Sequence, residues 1–159
     1  NSALVASWMN QLAATGRYQV DAATLQKLQE LFWGGFCDDG ETLQEIREMF
    51  QTENYLCDTH TAVAVHVYKE YVAQTQDTAT PTVIASTASP YKFASHVYKA
   101  VTGEDAAGDD FAVASQLSAV TGTQIPAPIA SLQEKPVRFA NVCTAAGMRE
   151  EVLRAAGIR

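Results

Sequence analysis

The sequence predicts an α/β fold that is predominantly helical, with six to seven helices and about one or two parallel strands. Apolar residues recur at helical spacing in most segments, and capping residues and glycines bound those segments. One short run, 82–87 (TVIAST), is β-branched, apolar and flanked by prolines, which is typical of a buried parallel strand. Of the 159 residues 47% are hydrophobic and 18% are charged, which is enough apolar material for one domain with a core.

Four helices are expected in the first half of the chain. Apolar residues recur over 3–14 until Gly16 stops the first helix, and Asp21 is suited to cap a second helix that ends at the glycine pair 34–35. Two more helices follow, each begun by an aspartate. Asp39 is expected to accept hydrogen bonds from the free amides of the third helix.

The fourth helix has the most chemically interesting start. Asp58 is its expected N-cap, and the helix should cover 59–74. The surrounding segment, CDTHTAVAVHVYKEY, holds a cysteine, an aspartate and two histidines within ten positions. It therefore raises the question of a metal site, a catalytic centre or a capped and buried helix.

The second half opens with the predicted strand 82–87. The Ser-Pro pair at 89–90 is an N-cap followed by proline at the first helical position, and it predicts a helix that runs to about Thr102. A helix should follow the aspartate pair 109–110 and end near Val120.

The remainder is less regular. Prolines break the segment 125–136, and 137–142 (VRFANV) fits either a second strand or irregular chain. Thr144 is expected to begin a last helix that ends near Ala156.

Charge and cysteine content exclude several classes of function. The net charge is −7 and the eleven cationic residues are scattered, so neither nucleic acid nor an anionic membrane is an expected partner. Three widely spaced cysteines form no disulfide framework, and they predict a cytoplasmic location. The chain starts without methionine inside a predicted helix, so we expect either a processed start or a piece of a longer protein.

A metal site at the fourth helix is disfavoured. Cys57, His60 and His66 offer three ligand types, but histidines six apart lie on different sides of a helix. We therefore predict no metal, and we expect Asp58 to serve as a cap. The alternative is that the same helix start faces an active site.

The end of the predicted strand is a candidate ligand site. In open α/β sheets ligands bind at the carboxyl ends of strands, where Ser86 and Thr87 fall. The alternative is that these hydroxyls only stabilise the turn. Lys92, in the first turn of a helix, is unfavourably placed for a cation, so either an anion attracts it or it is a solvated surface lysine.

Three stretches together resemble the C-terminal region of threonine synthase. They are FCDDGETLQEI (36–46), YLCDTHTAVAV (55–65) and VIASTASPYKF (83–93), in the family's order and spacing. The family's Asp-Pro-His-Thr-Ala-Val-Gly and Thr-Ala-His-Pro-x-Lys-Phe motifs are matched except that Thr59, Ala64 and Ser89 replace its proline, glycine and histidine.

This resemblance implies a fold type II pyridoxal-phosphate enzyme, a lyase that converts O-phospho-L-homoserine and water to L-threonine and phosphate. It also implies that 1–159 is one C-terminal fragment, inactive alone, whose partner is the rest of its own chain. In the family the Schiff-base lysine and the phosphate-binding glycine loop lie upstream. No lysine here lies in the family's catalytic context, so we assign no catalytic residue.

By the same resemblance, Thr87 matches the hydroxyl that faces the cofactor's pyridine nitrogen, and we predict it to bind cofactor. His60, Thr61 and Lys92 match motif positions that line the site, and Lys92 is a candidate for binding the substrate phosphate. Two alternatives stay open. One is another fold type II pyridoxal-phosphate lyase, which the replacement of the family's histidine by Ser89 favours, and the other is a non-enzymatic helical interaction module.

Overall fold

Helices dominate the computed structural model of the chain, which describes residues 1–158. Eight α-helices form in this part, joined in places by short 3-10 turns. They are α1 (Ser2–Thr15), α2 (Ala22–Gln29), α3 (Asp39–Glu53), α4 (Thr59–Thr75), α5 (Ala94–Thr102), α6 (Asp110–Thr121), α7 (Ala127–Ala130) and α8 (Met148–Ala155). The predominantly helical prediction is confirmed, and α7 is a single turn inside the segment that was expected to be broken by prolines.

The expectation of one or two parallel strands is wrong, because residues 1–158 contain no β-strand. Both candidate segments, 82–87 and 137–142, are irregular in the structure. A strand exists only when a neighbouring strand pairs with its amides and carbonyls, and neither segment has such a neighbour here. The apolar side chains are correspondingly uncovered, with Val83 94% exposed.

Aspartates begin the helices as predicted at Asp21, Asp58 and Asp109, whose carboxylates each accept a hydrogen bond from a first-turn amide. The expected cap of the third helix, Asp39, is wrong by one residue. Asp38 is the N-cap, and its carboxylate accepts from the Glu41 amide at 2.8 Å while its own amide donates to Glu41 Oε2 at 2.9 Å. This reciprocal pair satisfies two otherwise free amides, which a cap at Asp39 would not do.

The core lies among α3, α4, α5 and α6. Ile46 of α3, Val97 of α5 and Leu117 of α6 are fully buried, and Ala62 and Val65 contribute from α4. Helix α3 packs against both α4 and α5, and α5 also packs against α6. Helices α1 and α2 bury no residue.

Two polar ties join α3 to its neighbours. Arg47 Nε donates to the Ala100 carbonyl at 2.7 Å, which sets a cation at the electronegative end of α5. On the other side, Lys69 Nζ of α4 lies 2.7 Å from Glu45 Oε1, a carboxylate that is almost fully buried. Buried carboxylates are rarely left unpaired, and this pairing fixes α4 beside α3.

Two compact units make up the chain, one from Asn1 to Thr123 and a second that begins at Gln124. The first unit contains the core described above. The second contains α7 and α8, neither of which has a buried residue. Within residues 1–158, no helix has both the length and the apolar character that crossing a membrane requires.

The packing predicts that replacing Ile46 with alanine destabilises the first unit by about 2–5 kcal/mol, because truncating this fully buried side chain leaves a cavity in the core. Val83→Ala is the matched control, since Val83 is exposed and should change stability by less than about 0.5 kcal/mol. Urea unfolding of both variants, followed by circular dichroism, measures the difference. Equal costs at the two positions would contradict this assignment of the core.

Candidate functional site

The N-terminus of α4 is organised by the carboxylate of Asp58, which has no solvent exposure. Its Oδ1 accepts from the His60 amide at 2.9 Å, and its Oδ2 accepts a hydrogen bond from the Thr61 hydroxyl. The backbone of Asp58 is extended, as an N-cap requires. The same carboxylate therefore begins the helix and orients two of the side chains that the sequence singled out.

Two opposing effects act on the ionisation of Asp58. Burial by itself would raise the pKa of the carboxyl, but hydrogen bonds from the Thr61 hydroxyl and from the amide and ring of His60 outweigh it. The pKa of Asp58 consequently lies below its ordinary value. Near neutral pH the helix start thus carries a buried, fully engaged anion.

His60 lies at the surface beside this anion, with 60% of its side chain exposed. Its Nδ1 is 3.1 Å from Asp58 Oδ1, so Nδ1 is the protonated nitrogen and Nε2 is left to accept a hydrogen bond when the ring is neutral. The imidazole ring of His60 also contacts the ring of Phe93, with the two centroids 4.9 Å apart. Asp58 and Phe93 therefore hold the imidazole in one orientation.

Hydroxyl groups connect the start of α4 to the segment that precedes α5. Tyr55 donates to Ser86 Oγ at 3.2 Å, and Thr61 Oγ1 lies 3.3 Å from the same atom. Asn54 adopts a left-handed conformation, with φ 52°, which ends α3 and turns the chain toward Tyr55. Ser86 is thereby tied to two points of the first unit, and Thr87 follows it directly.

A 3-10 turn over Pro90–Phe93 completes the cluster. The Ser89 hydroxyl accepts from the Tyr91 amide at 3.3 Å, and Tyr91 is buried with its hydroxyl donating to the Thr123 carbonyl at 2.9 Å. Lys92, between these anchors and Phe93, is exposed. The turn is thus fixed from both sides while the lysine stays open to solvent.

The predicted site residues differ in whether they are bonded within this cluster. His60 and Thr61 share one carboxylate, and Thr61 also reaches Ser86, the neighbour of Thr87. Thr87 itself is exposed, and Lys92 joins the cluster only through its neighbour Phe93. Their roles toward a cofactor or substrate stay predictions.

Tyr55 was not among the predicted site residues. The only signal was a tyrosine immediately before the buried Leu-Cys-Asp step, and its partner Ser86 lies 31 positions away. Sequence reasoning also missed a second cluster. One ligand atom each of Cys37, Glu41 and His66 lies within 4.8 Å of the other two, at the junction of α3 and α4.

Cys57 is part of the packing at the helix start. It is almost fully buried, and burial raises the pKa of its thiol to about 11, with the Asp58 charge adding to the shift. A neutral thiol that is almost fully buried is a poor nucleophile, and an ion from solvent cannot reach it. These properties favour the capped and packed interpretation of the CDTH segment over a metal site built from Cys57.

The fold of this chain is that of part of a threonine synthase. The threonine synthase of Brucella melitensis, solved with PLP bound, superposes on 98% of the chain with a TM-score of 0.64. The two sequences are 24% identical, and the chain covers 29% of that protein. At this identity the likeness establishes the fold.

Sequence comparison identifies the family. The family model described as threonine synthase, C-terminal matches residues 61–152, and this stretch includes Thr61, Thr87 and Lys92. The chain belongs to the threonine synthase C-terminal family, so the resemblance inferred from the motifs is confirmed.

Individual relatives agree. Human threonine synthase-like 1 is 35% identical over 98 residues, and Saccharomyces cerevisiae threonine synthase is 29% identical over 104 residues. The matches cover 62% and 63% of this chain. The matched part of the chain corresponds to 13% and 20% of the respective relatives.

Because the folded pKa of Asp58 is depressed, the ionised carboxylate stabilises the fold above its ordinary pKa of 3.8. That stabilisation is lost as the pH falls through the folded pKa. Asp58→Asn should therefore destabilise the chain by about 1–3 kcal/mol at pH 7, and by progressively less below about pH 4.

Urea unfolding of wild type and variant from pH 7 to pH 3 measures this difference. Glu104→Gln, an exposed carboxyl in the loop after α5, is the control and should track wild type throughout. An Asp58→Asn deficit that stays constant over the whole pH range would contradict the assigned role of the carboxylate.

Proposed function

We propose that this chain is the C-terminal part of a threonine synthase, which converts O-phospho-L-homoserine and water to L-threonine and phosphate in threonine biosynthesis. The observation that carries the proposal is the family match across the segment in which the start of α4 is bonded to the chain before α5. This is the region that holds Thr87 and Lys92, with His60 immediately before it. The whole protein is the enzyme in this proposal, and the chain supplies one part of its site.

The cofactor of the whole enzyme is pyridoxal phosphate, which when bound withdraws electrons from the α-carbon of the amino-acid substrate. The donor set of this chain fits such a cofactor. Thr87 offers an exposed, neutral hydroxyl, and the nearby Asp58 carboxylate has both oxygens engaged by His60 and Thr61. The family resemblance makes Thr87 the neutral partner of the pyridine nitrogen in this proposal.

Lys92 and His60 are assigned to the substrate side. The ammonium of Lys92 is exposed on a rigid turn, and its charge suits the phosphate of O-phosphohomoserine. His60 presents Nε2 from a ring held by Asp58 and Phe93, which suits it to orient a substrate group or a water molecule. Thr61 is buried, and it acts by positioning Asp58 and Ser86.

The isolated chain is proposed to be inactive. The family's catalytic lysine and glycine loop lie upstream of the matched motifs, and the lysines of this sequence lie outside that context. The rest of its own chain is thus the partner that completes the site. We also propose a cytoplasmic location, since Cys37, Cys57 and Cys143 are all free thiols.

A second candidate is another fold type II pyridoxal-phosphate lyase with a different substrate. Ser89 stands where the family motif has histidine, and its hydroxyl caps the turn that begins at Pro90. The similarity to threonine synthase-like 1 also favours this candidate, because that protein is named as similar to threonine synthase and not as a threonine synthase. Substrate choice would then depend on the site near Ser89.

A non-enzymatic interaction module has one observation in its favour. Large apolar side chains are exposed in the first unit, with Leu31 and Phe36 each 82% exposed. The same exposure arises if the upstream part of the enzyme covers them. A reading frame that lacks the upstream lysine and glycine loop, and whose product binds no cofactor, would favour the module.

The proposal predicts that Thr87→Val lowers turnover of the full-length, cofactor-loaded protein by about tenfold to a hundredfold. Loss of one hydrogen bond in a closed site costs about 1–3 kcal/mol. Phosphate release from O-phosphohomoserine is the measurement. Thr87→Ser keeps the hydroxyl and should retain most activity.

Thr82→Val provides the matched control, because Thr82 is an exposed threonine in the same segment and should be dispensable. Equal activity of Thr87→Val and wild type would remove Thr87 from the site. A well-folded, cofactor-loaded wild-type protein that releases no phosphate would instead point to the second lyase candidate.

Replacing Lys92 with alanine should raise the KM for O-phosphohomoserine by about tenfold or more, since a charge-assisted contact to phosphate is lost. Lys27→Ala, on the exposed surface of α2, is the control. Initial rates over a range of substrate concentrations separate KM from kcat. An unchanged KM would show that Lys92 is a solvated surface lysine.

A further inference from the structure

Three metal-ligating side chains converge where the loop before α3 meets α4. Cys37 precedes α3, Glu41 lies in its first turn and His66 lies in the middle of α4. One ligand atom from each residue falls within 4.8 Å of the other two. Cys37 and His66 are half-buried and Glu41 is exposed, so the cluster is anchored on one side and open on the other.

The loop that carries Cys37 is held against α4. The ring of Trp33 packs edge-on against Tyr71, with centroids 5.8 Å apart. At Gly35 the backbone approaches so closely that an added Cβ would lie 3.1 Å from Val67 Cγ1 and 3.1 Å from Glu70 Oε2. The backbone before Cys37 therefore lies against α4, which brings the thiol near His66.

Each donor has an orbital free for a metal. The Cys37 thiol donates to the Asp38 carbonyl at 3.6 Å and its sulfur lies 3.3 Å from Thr42 Oγ1, so sulfur lone pairs remain available. Glu41 uses Oε2 for the Asp38 amide, and the carboxylate keeps further lone pairs. Neither residue is consumed by its structural role.

The histidine has the surroundings of a metal ligand. His66 Nδ1 lies 4.0 Å from Glu45 Oε2, and Nε2 lies 3.9 Å from Glu70 Oε1. Whichever nitrogen binds a metal, the other faces a carboxylate. These separations are longer than hydrogen bonds, so the two carboxylates contribute negative charge near the ring without fixing its tautomer.

Negative charge surrounds the cluster. Glu41 and His66 line a cleft of about 290 Å³ together with Glu45, Glu48 and Glu70, and the cation that lines it, Lys69, is engaged by Glu45 and Glu48 at 2.7 and 3.0 Å. The carboxylates that line this cleft repel one another. A divalent cation would relieve the repulsion that these groups share.

We propose that Cys37, Glu41 and His66 bind one zinc ion at the junction of α3 and α4, with water in the remaining position. The donor set of one thiolate, one imidazole and one carboxylate suits zinc better than magnesium or calcium, which prefer oxygen ligands alone. Zinc bonds of about 2.0–2.3 Å require the ligand atoms to close to about 3.3–3.8 Å, an adjustment that the exposed Glu41 side chain allows. Binding breaks the Cys37 S–H bond, forms a Zn–S bond and releases one proton to solvent.

The test uses the full-length protein that contains this chain, with its thiols reduced and its metals removed by a chelator. Equilibrium dialysis against zinc, followed by elemental analysis, should show one bound equivalent that Cys37→Ser and His66→Gln each weaken by at least about tenfold. Zinc X-ray absorption should show one sulfur neighbour at about 2.3 Å, and Cys37→Ser should remove it.

Matched controls separate this site from the rest of the protein. Cys143→Ser and His96→Gln replace exposed residues of the same types and should leave the zinc equivalent intact. Glu41→Gln keeps the size of an exposed side chain, so it tests the third ligand even if the other variants fold poorly. Zinc should raise the melting temperature of wild type and have little effect on that of Glu41→Gln.

Either of two results would overturn the proposal. One is a wild-type protein that binds no stoichiometric zinc. The other is a triple variant, with Cys37→Ser, His66→Gln and Glu41→Gln combined, that still binds one zinc ion with the affinity of wild type.

Discussion

Asp58 is a charged group without solvent contact, and such a group is tolerated only when donors satisfy its oxygens. The donors here are the amide and ring of His60 and the hydroxyl of Thr61. Because Thr61 and Tyr55 both contact Ser86, this requirement extends from the start of α4 to the segment before α5. The geometry of the candidate site therefore follows from the electrostatics of one buried carboxylate.

Helix α4 carries residues of the candidate site, of the core and of the proposed zinc site. Its first turn carries His60, and His66 lies six residues further, about 9 Å along the axis. Between them Ala62 and Val65 are buried in the core, and Lys69 pairs with Glu45 of α3. The apolar contacts fix the rotation of the helix, and that rotation decides which groups each histidine meets.

Local chemistry was predictable from the sequence, while long-range pairing was not. The caps at Asp21, Asp58 and Asp109 follow from an aspartate before an apolar periodic run. The cap of α3 was harder to predict, because Asp38 and Asp39 are adjacent and either could begin the helix. The hydrogen bond from the Asp38 amide to Glu41 Oε2 identifies Asp38 as the cap. The strand prediction at 82–87 failed because composition reports a preference for extended chain and cannot supply a partner strand.

The same limit applies to the two clusters. His60 and Thr61 were predicted because they match positions of a family motif within one short stretch of sequence. The contact of Tyr55 with Ser86 spans 31 positions, and periodicity within a segment says nothing about contacts across such distances. Segment 82–87 has one further consequence. If a neighbouring strand pairs with this segment, the side chains will alternate between the two faces of the sheet. A shift of the pairing by one residue would then move Thr87 from one face to the other.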